Sequence, residues 1–252
     1  MNTQSIFCRV KTITTLLLLG VIFNSNRAQA QFATAAAYPF TASQKVFNYL
    51  VGGTAAPTAN ASSWDDTYTS PAIPIGFTFT FCNVPYTTVT GHTNGYMSFG
   101  NNTFVSLSSS AATLNNVGPC MMGGWHDAWG STSLSAITYK TTGTAPNRVF
   151  TLEFKNWASF SLQTPYITYQ YILYEGGPLE LMYKQEGTGQ FNTTAIGIGR
   201  NSTDYQSLPN TGASPTPSST TFTSNLTAKP ATGQSYLWGQ IPCTGTPTTS
   251  AN

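Results

Sequence analysis

Asn94-Gly95-Tyr96-Met97-Ser98-Phe99-Gly100 and, after a polar loop, Gly123-Gly124-Trp125-His126-Asp127-Ala128-Trp129-Gly130 are the stretches on which the fold turns. Each is an apolar strand core bounded by glycines and carrying large aromatics. That composition suits strands at the centre of a sandwich better than a catalytic loop. Just upstream, Ile75-Gly76-Phe77-Thr78-Phe79-Thr80-Phe81 alternates strictly, putting Phe77, Phe79 and Phe81 on one face and Thr78, Thr80 and Cys82 on the other. Burying such rings contributes about 1.5–3 kcal/mol each. Asn83-Val84-Pro85 then turns the chain into Tyr86-Thr87-Thr88-Val89-Thr90, the expected hairpin partner.

Further from this centre the same signals recur. Ala136 to Lys140 reads as a strand, and Arg148 to Lys155 as another with Phe150, Leu152 and Phe154 inward and Thr151, Glu153 and Lys155 outward. Tyr166 to Tyr174 and Leu179 to Lys184 flank the turn Glu175-Gly176-Gly177-Pro178 and are expected to pair antiparallel. On this pattern Glu153 with Lys155 and Glu180 with Lys184 read as solvated cross-strand charges. Thr194 to Gly199, Thr220 to Thr223 and Ser235 to Trp238 are the later strands, Tyr38 to Ser43 and Lys45 to Leu50 the opening ones, and Thr54 to Ser70 a long loop. The expectation is all-β: a single large antiparallel β-sandwich, jelly-roll-like, of about eleven or twelve strands over residues 31–240, with essentially no helix.

Composition agrees. Charged residues make up 7% of the chain, against roughly 25% in an average soluble protein. Glu, Lys, Arg and Leu, which make stable helix surfaces, give way to Thr, Ser, Asn, Gly and aromatics.

Residues 1–30 read as a secretory signal peptide, with Arg9 and Lys11, an apolar run from Ile13 to Phe23, and a small-x-small cleavage site at Ala28-Gln29-Ala30. The mature chain is therefore expected to be secreted or displayed at the cell surface, and it carries no later run of about 20 apolar residues that could span a membrane. Arg9, Lys11 and Arg27 leave with the signal, so seven of ten basic residues remain against eight acidic ones. Such a sparse, balanced charge excludes nucleic-acid binding. Residues 241–252 have linker composition and are expected to lead into a further module. Three cysteines remain in the mature chain. Cys82 and Cys120 are expected to form a disulfide worth about 3–4 kcal/mol, and Cys243 to find its partner in a downstream module or a second chain.

The order Gly76-Phe77-x-Phe79, Asn94-Gly95-Tyr96-x-Ser98-Phe99-Gly100, Trp125-His126-Asp127, Pro146-Asn147-Arg148-Val149-Phe150-x-x-Glu153 and Tyr169-Gln170-x-x-Leu173-Tyr174-Glu175 resembles the nidogen-like (NIDO-type) extracellular β-domains. It is more closely similar to N-terminal domains of bacterial secreted multidomain proteins that continue into fibronectin-like or Ig-like modules and a type IX secretion sorting domain. The resemblance covers residues 38–240 and implies an extracellular module without catalytic residues. Its richer acidic cluster after the aromatic is reduced here to His126-Asp127.

Little in the sequence offers catalytic chemistry. His126 and Asp127 are adjacent on a strand and point to opposite faces, so they do not form a dyad. Asp65-Asp66 lies in an oxygen-rich loop and is a weak Ca²⁺ candidate without the Asp-x-Asp-x-Asp-Gly spacing. Otherwise no metal or cofactor is expected. Thirteen Tyr, five Trp and fifteen Phe cannot all point inward, and Trp64, Trp129 and Trp157 are the candidates to stack on a sugar or anchor a protein partner. The function expected is a non-catalytic adhesion, recognition or structural module contacting a carbohydrate or protein surface. The alternative is an extracellular carbohydrate-active hydrolase, for which two converging carboxylates would be the mark.

Overall fold

A computed structural model describes residues 32–60 and 64–240. The expected signal peptide over residues 1–30, the expected linker over 241–252 and Cys243 lie outside the described residues. A short 3-10 turn (Ala35–Ala37) leads into β1 (Phe40–Gln44), β2 (Thr54–Ala55), β3 (Trp64–Asp65), β4 (Ile73–Phe81), β5 (Val84–His92) and β6 (Tyr96–Phe99). A single helical turn, α1 (Leu114–Val117), precedes β7 (Cys120–Trp125), β8 (Ala128–Gly130), β9 (Ala136–Thr142), β10 (Val149–Ser159) and β11 (Ile167–Tyr174). The last strands are β12 (Leu179–Gln185), β13 (Ala195–Asn201), β14 (Asp204–Ser207) and β15 (Gln234–Trp238).

The strands form two antiparallel sheets. One runs β14-β13-β7-β6-β5-β4, and the other β1-β15-β12-β11-β10-β8-β3, with β9 and β2 also joined to it through β10. The fork in the larger sheet has a local cause. At β10 the pairing shifts around Asn156, which adopts φ +57; Val149–Lys155 pair with β9, and Trp157–Ser159 with β8.

The alternating phenylalanines behave as their spacing predicts: Ile73, Ile75, Phe77, Phe79 and Phe81 are buried, with exposed or half-buried residues between them. Cys82 and Asn83 both take positive φ in a two-residue turn, so β4 and β5 form a tight hairpin. Phe99 stacks on Phe79 at 5.5 Å and Phe81 at 4.8 Å. Facing them across the sandwich, Phe150, Leu152, Phe154, Tyr169, Tyr171 and Tyr183 are buried on the larger sheet. A second, smaller core of Tyr96, Leu114, Val117, Cys120, Met122 and Trp125 forms where α1 packs on the six-stranded sheet.

The structure departs from the sequence reading in several places. Cys120 to Trp129 is two strands in different sheets, and the chain crosses between the sheets at His126 and Asp127. Thr220 to Thr223 forms no strand, whereas β14 and the short β2 and β3 do form. Lys45 to Leu50 is an extended strap across the larger sheet. It is held by Leu50 N–H donating to Glu153 Oε2 at 2.9 Å, Gln170 Nε2 donating to Asn48 O at 2.8 Å, and Lys45 Nζ donating to Glu180 Oε1 at 2.5 Å. Glu153 and Glu180 are consequently buried, not solvated, with 2% and 1% exposure. Tyr174 and Ser235 hydroxyls complete the shell of Glu180, as a carboxylate removed from water requires.

The expected disulfide is also corrected. Cys82 and Cys120 are free, buried thiols. Cys82 follows β4 and Cys120 opens β7, with β5 and β6 between them. Three strand spacings amount to about 14 Å, twice the roughly 7 Å Cα limit for a bridge. Burial pushes the Cys82 thiol up to about 12 and raises Cys120 as well, so both stay protonated at neutral pH, where the thiolate is the reactive form. We expect iodoacetamide at pH 8 to leave Cys82 and Cys120 unlabelled in the native chain and to label both in denaturant without reductant. Peptide mapping checks this, and a bridged peptide pair would contradict it.

Candidate functional site

The site is built at the crossing between the sheets. Gly95 takes φ +79, and a Cβ there would lie 2.1 Å from Gly124 O. Only glycine allows the Asn94-Gly95 turn to press against the crossing segment. Gly95 O accepts the N–H groups of Gly123 and Gly124 at 3.1 and 3.0 Å, and Asn94 O accepts that of His126 at 3.2 Å. The Asn94 side chain, fully buried, works in two directions: Nδ2 donates to Asp66 Oδ1 at 2.9 Å, and Oδ1 accepts Ala128 N–H at 3.0 Å. Thr93 clasps the same loop, since its Oγ1 accepts Thr67 N–H at 2.9 Å.

These ties bring β3 alongside β8, with Trp64 opposite Gly130 and Asp65 opposite Trp129. Gly130 also faces Trp157 on β10. The two indoles meet edge-on at 6.2 Å across it, and a Cβ on Gly130 would lie 2.7 Å from the Trp157 ring. Trp157 is buried at 1% exposure and its Nε1 donates to Thr93 O at 2.7 Å. It is a core residue. Trp64 and Trp129 are half-buried and pack against the same core.

At the rim, Asp65, Asp66 and Asp127 converge, with one carboxylate oxygen from each within 4.8 Å of the others. Asp66 sits at φ +47, a left-handed conformation that Asp tolerates. His126, by contrast, turns inward: Nδ1 donates to Gly124 O at 2.7 Å and Nε2 accepts the Tyr166 hydroxyl at 3.1 Å. Burial pushes its imidazole down to about 4, against a smaller opposing effect of the Gly124 carbonyl. His126 is thus buried while Asp127 stays at the rim, and the two lie in the crossing between β7 and β8, not on a strand as the sequence pattern predicts.

Burial raises the Asp65 carboxyl above its ordinary value, with the Asp66 and Asp127 charges adding to it. Asp127 is raised by burial and then by Asp66. Three hard oxygen donors of this kind suit a Ca²⁺-like cation, which takes six to eight oxygens and would need water for the remainder. The sequence singled out Asp65 and Asp66 but not Asp127 as their partner. Asn94 also went unassigned, although Asn94-Gly95 is the one local signal that a tight turn forms there.

The fold and site define a two-sheet, all-β module whose polar cluster lies at a sheet crossing. The chain matches the family model described as NIDO related over residues 37–240 and belongs to that family. No curated protein and no solved structure matches it.

Replacing Asn94 by Ala orphans the buried Ala128 N–H and releases Asp66. We expect a loss of about 2–4 kcal/mol in denaturant unfolding; a loss under about 0.5 kcal/mol would contradict the role assigned to this side chain. For the carboxylates the sign follows from raised folded-state values. The folded state holds its protons more tightly, so the cluster costs nothing below the unfolded Asp value near 4, and its cost develops between that value and the raised ones and is constant above them. In chelator-containing buffer, Asp127→Asn should melt about 1–3 °C above the parent at pH 7, with the difference vanishing below about pH 4. A difference independent of pH would refute the raised Asp127 carboxyl.

Proposed function

We propose that the protein is a secreted or cell-surface, non-catalytic recognition or adhesion module of a longer multidomain protein, contacting a carbohydrate or protein surface. The observation that carries this is how the chain's few reactive groups are used. Glu175 pairs with Arg148, Glu180 with Lys45, Glu186 with Lys184 and Asp204 with Arg200. Glu153 holds the strap. The two imidazoles and both described thiols are buried. Catalysis at neutral pH needs accessible acids, bases or nucleophiles, and nearly all candidates here serve the fold. Membership of the NIDO-related family agrees with an extracellular module, and no helix among the described residues is long and apolar enough to cross a membrane.

The hydrolase alternative draws on the convergence of Asp65, Asp66 and Asp127 beside Trp64 and Trp129. Against it, a glycosidase sets its two carboxylates on either side of a sugar ring, whereas these three crowd together at a spacing suited to an ion. Assaying the full chain against panels of glycans and peptides should show no turnover. Turnover abolished by Asp127→Asn would overturn the proposal in favour of the hydrolase.

A further inference from the structure

The opposite edge of the larger sheet carries a second feature. Sheet edges expose unpaired N–H and C=O groups, and proteins commonly blunt them with bulges, prolines, charges or covering segments. β4 has Pro74, an irregular register, and carbonyls at Ile75 and Gly76 that accept from Thr141 and Arg148. β14 is covered by Ser218, which exchanges backbone hydrogen bonds with Ser207 at 2.9 and 2.8 Å. β2 and β3 are two residues each.

β1 has none of these protections. Phe40-Thr41-Ala42-Ser43-Gln44 holds no charge and no proline, and pairs with β15 in unbroken register. Among the described residues nothing pairs with its other side. Lys45 N–H donates to Gly233 O and Pro39 O accepts Gly239 N–H. Thr41 and Ser43, in phase with these residues, therefore turn their backbone groups toward β15, and those of Phe40, Ala42 and Gln44 face outward.

Beside this edge lies a cleft of about 370 Å³ between Phe40 and Ala42 on one side and Ser214-Pro215-Thr216-Pro217 on the other. The prolines have no N–H to offer the strand. Phe40 and Ala42 point to the inner face, where they pack against the core. A residue placed opposite Ala42 on an added strand would point into the same cleft, where the small Ala42 side chain leaves space.

We propose that β1 is a docking edge for an extended, uncharged peptide strand of a partner protein, with an apolar side chain opposite Ala42 filling the cleft. Backbone hydrogen bonds would supply the affinity and the cleft the side-chain preference. Uncharged character follows from β1, which offers no counter-charge at Thr41, Ser43 or Gln44. Two copies pairing β1 to β1 would bring their Ser214–Pro217 segments together, which favours a free strand over a second copy. The inference is independent of the Asp65 cluster and of the recognition proposal, since it concerns the far edge of the sheet and would hold for an enzyme too.

The test is amide exchange by NMR on the full chain, with a capped Thr-Val-Thr-Val-Thr-Val-Thr peptide as probe. Amides of Phe40, Ala42 and Gln44 should exchange fast alone and slow by about tenfold or more with peptide, while Thr41 and Ser43 stay protected throughout. Ala42→Pro removes one outward N–H without touching the bonds to β15. It should abolish the effect while keeping Thr41 and Ser43 protected. Unchanged exchange at about 1 mM peptide, or equal slowing by a Thr/Glu alternating peptide, would overturn the proposal. Protection in the free chain that rises with protein concentration, with a dimer in sedimentation, would assign the edge to a second copy instead.

Discussion

The buried carboxamide of Asn94 is the interaction on which the rest of this structure depends. A sandwich whose chain passes between sheets after β7 needs a fixed point at the crossing, and the crossing here is two residues long. Asn94 supplies that point because its side chain carries a donor and an acceptor in fixed geometry. One end anchors Asp66 and the other the first amide of β8. Gly95 lets the turn approach closely enough for its carbonyl to accept from Gly123 and Gly124. From this point follow the position of β3, the meeting of Trp64 and Trp157 across Gly130, and the convergence of three carboxylates. The candidate site is thus a by-product of closing the sandwich at one end.

A chain with so few charges uses them sparingly and in depth. Glu153 and Glu180 lie beneath a strap, where they accept hydrogen bonds from backbone, amide, hydroxyl and ammonium groups. Buried carboxylates are tolerable only when their oxygens are so satisfied, and removing one partner is costly. Asp65, Asp66 and Asp127 stand in contrast, gathered where partial burial first, and neighbouring charge second, raise the carboxyls of Asp65 and Asp127. Electrostatic cost concentrated at one exposed rim marks the place where the fold gives up stability.

Much of the architecture was legible because one-faced burial writes a period of two into the sequence. Phe77, Phe79 and Phe81 are the clearest case, and the hairpin of β11 and β12 followed from its turn residues. The split of Cys120 to Trp129 was illegible because a two-residue crossing leaves the apolar composition unbroken. Glu153 lies on the outward face that the alternation predicts, but burial there comes from a strap about one hundred residues away in sequence, which no local pattern reveals. The same limit hid Asp127 as the partner of Asp65. The cysteine pairing differs for another reason: Cys82 and Cys120 are the pair that lies well inside the domain in sequence, but strand order sets them three strands apart.

Hydrogen exchange at the crossing tests the central claim most directly. If Asn94 and Gly95 pin the two sheets together, the amides of Gly123, Gly124, His126 and Ala128 should exchange only through global unfolding, with the same opening free energy as the core amides of β10 and β11. Exchange of these four amides through a local opening, well below the global free energy, would contradict it. The crossing would then be a loose connection between two independently stable sheets.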